Sequence, residues 1–187
     1  MSPEEIAAVV LGLVNVVLVV RRSIWNYPFG LAMVSLYAWV FLSERLYSDA
    51  LLQIFFFVVQ IYGWWNWARA RQVSGEVRVE RLAWRERASW AAGCAVAAIV
   101  WGMLMHRFTD AAFPWWDGTI AVLSVAAQIL QSRRRWESWA LWITVDALGV
   151  PLFLVKELWL TAGLYTVFLG LAVWGLLDWL RAYRRAS

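Results

Sequence analysis

Two stretches, VLGLVNVVLVVRR at Val10–Arg22 and VLSVAAQILQSRR at Val122–Arg134, decide how this chain is built. Each is an apolar run that stops at paired arginines, and they lie 112 residues apart. Extending that shift without gaps aligns residues 10–70 with 122–182, and 16 of the 61 positions are identical. They include Arg21/Arg133, Arg22/Arg134, Phe41/Phe153, Leu46/Leu158, Ala50/Ala162, Phe56/Phe168, Gly63/Gly175, Trp67/Trp179 and Arg69/Arg181. Shared apolar composition accounts for some identities. It does not readily align the arginine pairs, the glycines and the terminal Trp-x-Arg-Ala.

Outside these stretches the composition excludes a water-soluble domain. Of 187 residues, 63% are hydrophobic and 16% charged, where a soluble domain is about half apolar and a quarter charged. Sixteen tryptophans are an enrichment found where rings sit at a bilayer interface. The single Cys94, in an apolar run, excludes a disulfide-stapled secreted scaffold. The chain therefore reads as an all-α integral membrane protein, with residues 1–187 forming a single transmembrane domain.

Apolar stretches predict seven transmembrane helices at about 5–20, 28–43, 49–68, 88–105, 117–132, 137–155 and 158–180. Pro28 opens the second, where its missing N–H costs nothing. Pro151 falls inside the sixth, where a kink and a freed Ala147 carbonyl are expected. Glu4 and Glu5, with no small-residue cleavage site after the first span, argue against a cleaved signal.

Basic residues then orient the spans. The N-terminus and every second loop carry only three (Arg45, Arg107 and Lys156), and the alternate segments carry 14. The positive-inside rule places the N-terminus outside and the C-terminus in the cytoplasm. The same asymmetry explains the net charge of +4 through topology and anionic lipid, without nucleic acid.

Spans 1–3 match spans 5–7, giving a first three-helix repeat at 5–70, a linker helix at 88–105 and a second repeat at 117–182. Span 5 comes four spans after span 1, so the two run the same way through the bilayer. This is a parallel repeat about an axis along the membrane normal, as in the sugar carriers called SWEETs, whose substrate sites lie near the midplane between halves that rock. A transporter is the expectation. A non-transporting structural bundle and an intramembrane enzyme are the rival classes.

Charged residues at depth are costly and mark function. Asp146 lies eleven residues after Arg135, roughly 16 Å along a helix and so near mid-membrane. Trp139 and Trp142 precede it at i−7 and i−4 on one face. An aromatic pair beside a carboxylate suits a flat cationic ring through stacking, π-attraction and charge compensation. Against this, Trp139 also suits the interfacial belt, and Asp146 could cap the carbonyl freed by Pro151. On the third span Gln53, Phe57, Gln60 and Trp64 are spaced 4, 3 and 4, again one stripe. Its amides either orient a ligand or hold helices together. Tyr165 is the counterpart of Gln53 in the second repeat, and Asn15 and Gln128 are weaker candidates.

Other chemistry lacks its residues. There is no phosphate-binding Gly-rich loop with Lys, no Gly-x-Ser-x-Gly and no nucleophile–base constellation. His106 is the only histidine, so no metal site and no cofactor are expected. Arg133–Arg135 and the soluble stretch 69–87 read as topology determinants.

The runs YPFGLAMVSLYAWVFLSERLYSDALLQIFFFVVQIYGWWNW (Tyr27–Trp67), FPWWDGTIAVLSVAAQIL (Phe113–Leu130) and ESWALWITVD (Glu137–Asp146) resemble PnuC-type nicotinamide riboside transporters. The resemblance covers nearly the whole chain. It implies seven spans in a three-plus-one-plus-three arrangement, in the bacterial inner membrane, and inward facilitated diffusion of a vitamin-like nucleoside that a cytoplasmic kinase then traps. Typical members carry Asn where this chain has Asp146. Relatives of the same fold carry thiamine or riboflavin. Thiamine, another cationic flat ring, is the alternative cargo, and neutral riboflavin gains less from Asp146. Under this resemblance Trp139 and Trp142 clamp the ring, Asp146 and Gln60 hold polar groups, and Gln53, Phe57, Trp64 and Tyr165 line the path. Carriers of this size often associate, so a homo-oligomer is compatible with the sequence.

Overall fold

The computed structural model describes residues 3–43, 47–108 and 113–186. Among them are seven helices: α1 (Pro3–Val20), α2 (Asn26–Ser43), α3 (Tyr47–Ser74), α4 (Trp84–Phe108), α5 (Pro114–Ser132), α6 (Glu137–Val155) and α7 (Trp159–Ala186). The apolar runs place their cores well. α3 and α7 run past the predicted ends, to 28 residues each, because the Arg-rich segments after the apolar runs continue the same helix. Three helices, α4, α6 and α7, are long and apolar enough to cross a membrane by length and composition, and α1 carries a shorter apolar stretch at Ile6–Val20. Large apolar side chains such as Leu160, Trp159, Trp39 and Leu51 are exposed, as expected where lipid is the solvent. Arg45, counted above for topology, lies outside the described residues.

Helix ends follow a shared chemistry. Arg22, Arg134 and Glu157 take left-handed φ values of 52°, 60° and 59°. The residue after each donates its N–H back five positions, Ser23 to Leu18 O (2.9 Å), Arg135 to Leu130 O (2.9 Å) and Leu158 to Phe153 O (2.8 Å). This is the Schellman closure that satisfies the last carbonyls of a helix. α6 continues through Pro151 as one helix. Near that proline, Trp116 Nε1 donates to Leu148 O at 3.0 Å, tying α5 to α6.

The chain divides into two compact units. The first is Met1–Val79 with Ser132–Arg134 and Leu177–Ser187, and the second is Glu80–Gln131 with Arg135–Leu176. The core of the first unit is aromatic. Trp67 and Trp179 are wholly buried, with ring centroids 5.8 Å apart, and the Tyr27 ring meets Trp67 edge-on at 5.4 Å. Trp179 Nε1 donates to the Val19 and Val20 carbonyls, each at 3.2 Å, and Asn66 Nδ2 to Ser132 O at 2.9 Å. Arg22 Nη1 meets Asp178 Oδ2 at 2.6 Å. These bonds fasten helix ends that hydrophobic packing alone would leave free to slide.

In the second unit, the segment before α4 is fastened to the start of α6. Glu137 Oε1 accepts from Leu82 N (3.0 Å) and Arg87 Nε (2.9 Å), and Arg87 Nη2 stands 2.8 Å away. The Arg87 guanidinium lies over the Trp136 ring at 5.0 Å. Arg135 pairs with Glu80 at 3.2 Å and also donates to Arg81 O, and Trp136 N donates to Glu80 O at 3.2 Å. The basic stretch is therefore a structural clasp as well as a source of positive charge. At the far end of α6, Lys156 Nζ holds both Asp117 oxygens at 2.8 and 2.9 Å.

Candidate substrate site

α6 carries the densest set of candidates. Asp146 is only 5% exposed, and among the described residues no hydrogen bond or ion pair engages its carboxyl. A buried carboxyl without an internal partner is costly. A bound ligand that supplies donors or positive charge removes that cost.

Trp142 and Trp139 take different neighbours. Trp142 is half-buried and donates its indole N–H to Gln131 Oε1 of α5 at 2.7 Å. Trp139 is 2% exposed, and its ring fills the space over Gly175 of α7, where a Cβ would stand 2.6 Å away. The helical spacing placed both rings on one side of α6. Burial then separates a half-buried ring, Trp142, from one packed in the core, Trp139. Tyr165 of α7 lies across Gly149 of α6 and 4.7 Å from the Phe153 ring.

In the first unit the α3 stripe runs along α2. Trp64 stacks on Tyr27 at 6.3 Å and 5°. Gln60, 5% exposed, lies over Gly30 with Asn15 beside it. Gly30 admits the amide because it has no Cβ. Gln53 and Phe57, with Val34, Ser35, Ala38, Trp39, Leu42 and Ile54, line a groove of about 320 Å³. Asn15 Nδ2 donates to Asn26 O at 2.6 Å, joining α1 to α2. Asn15 makes a helix–helix bond, whereas Gln60 is a buried amide held at a glycine.

Sequence reasoning missed Gln131 and Glu137. Gln131 falls in the last turn of α5, and only the fold shows what its amide meets. Glu137 could have been singled out as the acidic residue that opens an otherwise apolar helix.

Seven helices among the described residues, with large apolar side chains exposed on them and a buried carboxyl on the sixth, define a polytopic α-helical membrane protein. The chain belongs to the nicotinamide mononucleotide transporter family, whose model matches residues 2–181. The nicotinamide riboside transporter PnuC of Escherichia coli is 29% identical over 96% of this chain and 86% of its own length. The PnuC of Neisseria mucosa is 32% identical, with coverages of 96% and 73%. The riboflavin/roseoflavin transporter RibM of Streptomyces davaonensis is 30% identical, with coverages of 95% and 84%. The crystal structure of the vitamin B3 transporter PnuC superposes with a TM-score of 0.78 at 32% identity, covering 97% of this chain and 82% of that one. The chain is a transporter of a vitamin-carrying family, not an enzyme, and a multi-pass protein of the bacterial inner membrane.

Proposed function

We propose that this protein takes up nicotinamide riboside by facilitated diffusion and that a cytoplasmic kinase traps the cargo. The observation that carries the reading is Asp146, a buried carboxyl that no described residue bonds, four residues after the half-buried Trp142. A pyridinium ring stacked on Trp142 gains π-attraction, and the Asp146 carboxylate offsets its charge in a medium that screens poorly. Trp139 backs this face from the core. Gln60 is assigned to polar groups of the cargo, and Gln53, Phe57, Trp64 and Tyr165 to its path. The reading includes seven spans in a three-plus-one-plus-three order, with the N-terminus outside and the C-terminus in the cytoplasm.

A second reading, riboflavin, is favoured by the likeness to RibM. Calorimetric titration of the purified protein with nicotinamide riboside, thiamine and riboflavin separates the cargoes. Saturable binding of nicotinamide riboside alone supports the proposal, and binding of either other vitamin in its place overturns it. Facilitated diffusion predicts exchange in both directions across liposomes without a gradient. Accumulation driven by a pH gradient contradicts it.

A further inference from the structure

We infer that Gln131 is a positioning residue for the cargo, acting through the indole of Trp142. The inference rests on the proposal that Trp142 stacks on the substrate ring. A tryptophan side chain turns about two bonds, and in an apolar setting dispersion alone distinguishes its orientations weakly. Trp139 is fixed by shape, because its ring lies on Gly175 and is almost wholly buried. Trp142 is half-buried, so less of its ring is held by packing. What fixes its plane is the 2.7 Å bond from Nε1 to Gln131 Oε1. Losing a short indole–amide bond at a half-buried position leaves the indole N–H without its partner, at the net cost of one hydrogen bond.

The bond also joins two helices. Gln131 sits one residue before the end of α5, and Trp142 lies in the second turn of α6. The turn between them is closed by the left-handed Arg134, so the acceptor is held on rigid backbone at both sides. A flat ligand ring tolerates little tilt of its stacking partner. Loss of the bond therefore weakens binding of the ring without removing any atom that touches it.

The test is a double-mutant cycle on the purified protein, with nicotinamide riboside binding read by calorimetry and folding by thermal unfolding. Gln131→Leu keeps the size but removes the acceptor, and affinity should fall about five- to tenfold, the worth of one net hydrogen bond. Gln131→Glu keeps an acceptor and should stay within about twofold of the parent. In the Trp142→Phe background, which keeps a ring but has no N–H, Gln131→Leu should add no further loss. Unchanged affinity in Gln131→Leu, or an equal loss in the Trp142→Phe background, overturns the positioning role. Trp142→Ala distinguishes the deeper failure. If it binds as tightly as the parent, Trp142 does not touch the cargo and both proposals fall.

Discussion

The indole of Trp139 lies on Gly175, where a Cβ would stand 2.6 Å from the Cε2 and Cζ2 atoms. The same relation recurs 112 residues earlier, where a Cβ on Gly63 would stand 2.7 Å from the Tyr27 hydroxyl. In both, an aromatic near the start of one helix lies on a glycine of the helix after it. Gly175→Ala should lower stability by about 1–3 kcal/mol, the usual cost of overpacking a filled site. Gly163→Ala is the control, since nothing lies within 4 Å of its added Cβ and Ala favours a helix. Thermal unfolding in detergent reads both, and equal midpoints would remove the packing argument.

Asp146→Ala should cut uptake about tenfold or more while the protein reaches the membrane in normal amount, because the variant loses the group proposed to face the cargo charge. Asp146→Asn keeps a polar partner but loses the charge, so its uptake should lie between those of the parent and the alanine variant. Labelled uptake by whole cells, normalised to the amount of protein in the membrane, checks both. Full uptake by the alanine variant would take Asp146 out of the site.

Helix positions were legible because apolar runs and their arginine stops are local signals. α6 was read at 137–155, the bounds it has in the structure. The spacing of Gln53, Phe57, Gln60 and Trp64 likewise gave the face of α3 that lies along α2. Partners were not legible. Nothing in the spacing of Trp139 and Trp142 says that one meets a glycine and the other a glutamine, because that depends on which helices flank α6. The basic stretch 69–87 also reads as charge alone until Glu137 is seen to gather Leu82 and Arg87.

Arg22 holds a left-handed φ of 52°, a conformation that costs a side-chain-bearing residue about 1–2 kcal/mol. Its Nη1 bond to Asp178, with both side chains partly exposed, returns about 0–1 kcal/mol. Arg22→Ala keeps the backbone strain and loses the pair, whereas Arg22→Gly loses the pair and relieves the strain. The glycine variant should therefore be more stable than the alanine variant by about 1 kcal/mol. A reversed order of their unfolding midpoints would mean that the turn is not strained.

Glu137 and Arg87 differ in how they tolerate isolation. The Glu137 side chain is 11% exposed and that of Arg87 44%, so an unpaired arginine reaches solvent while an unpaired glutamate stays buried. Arg87→Ala strands a buried carboxylate on a single backbone donor, Leu82 N, and should cost about 2–3 kcal/mol. Adding Glu137→Gln removes the stranded charge but keeps an oxygen for Leu82 N. The double variant should accordingly be more stable than Arg87→Ala alone, by about 1 kcal/mol or more. Unfolding midpoints of the three proteins decide the matter. A double variant less stable than the single one would show that Glu137 holds the clasp through contacts other than its charge.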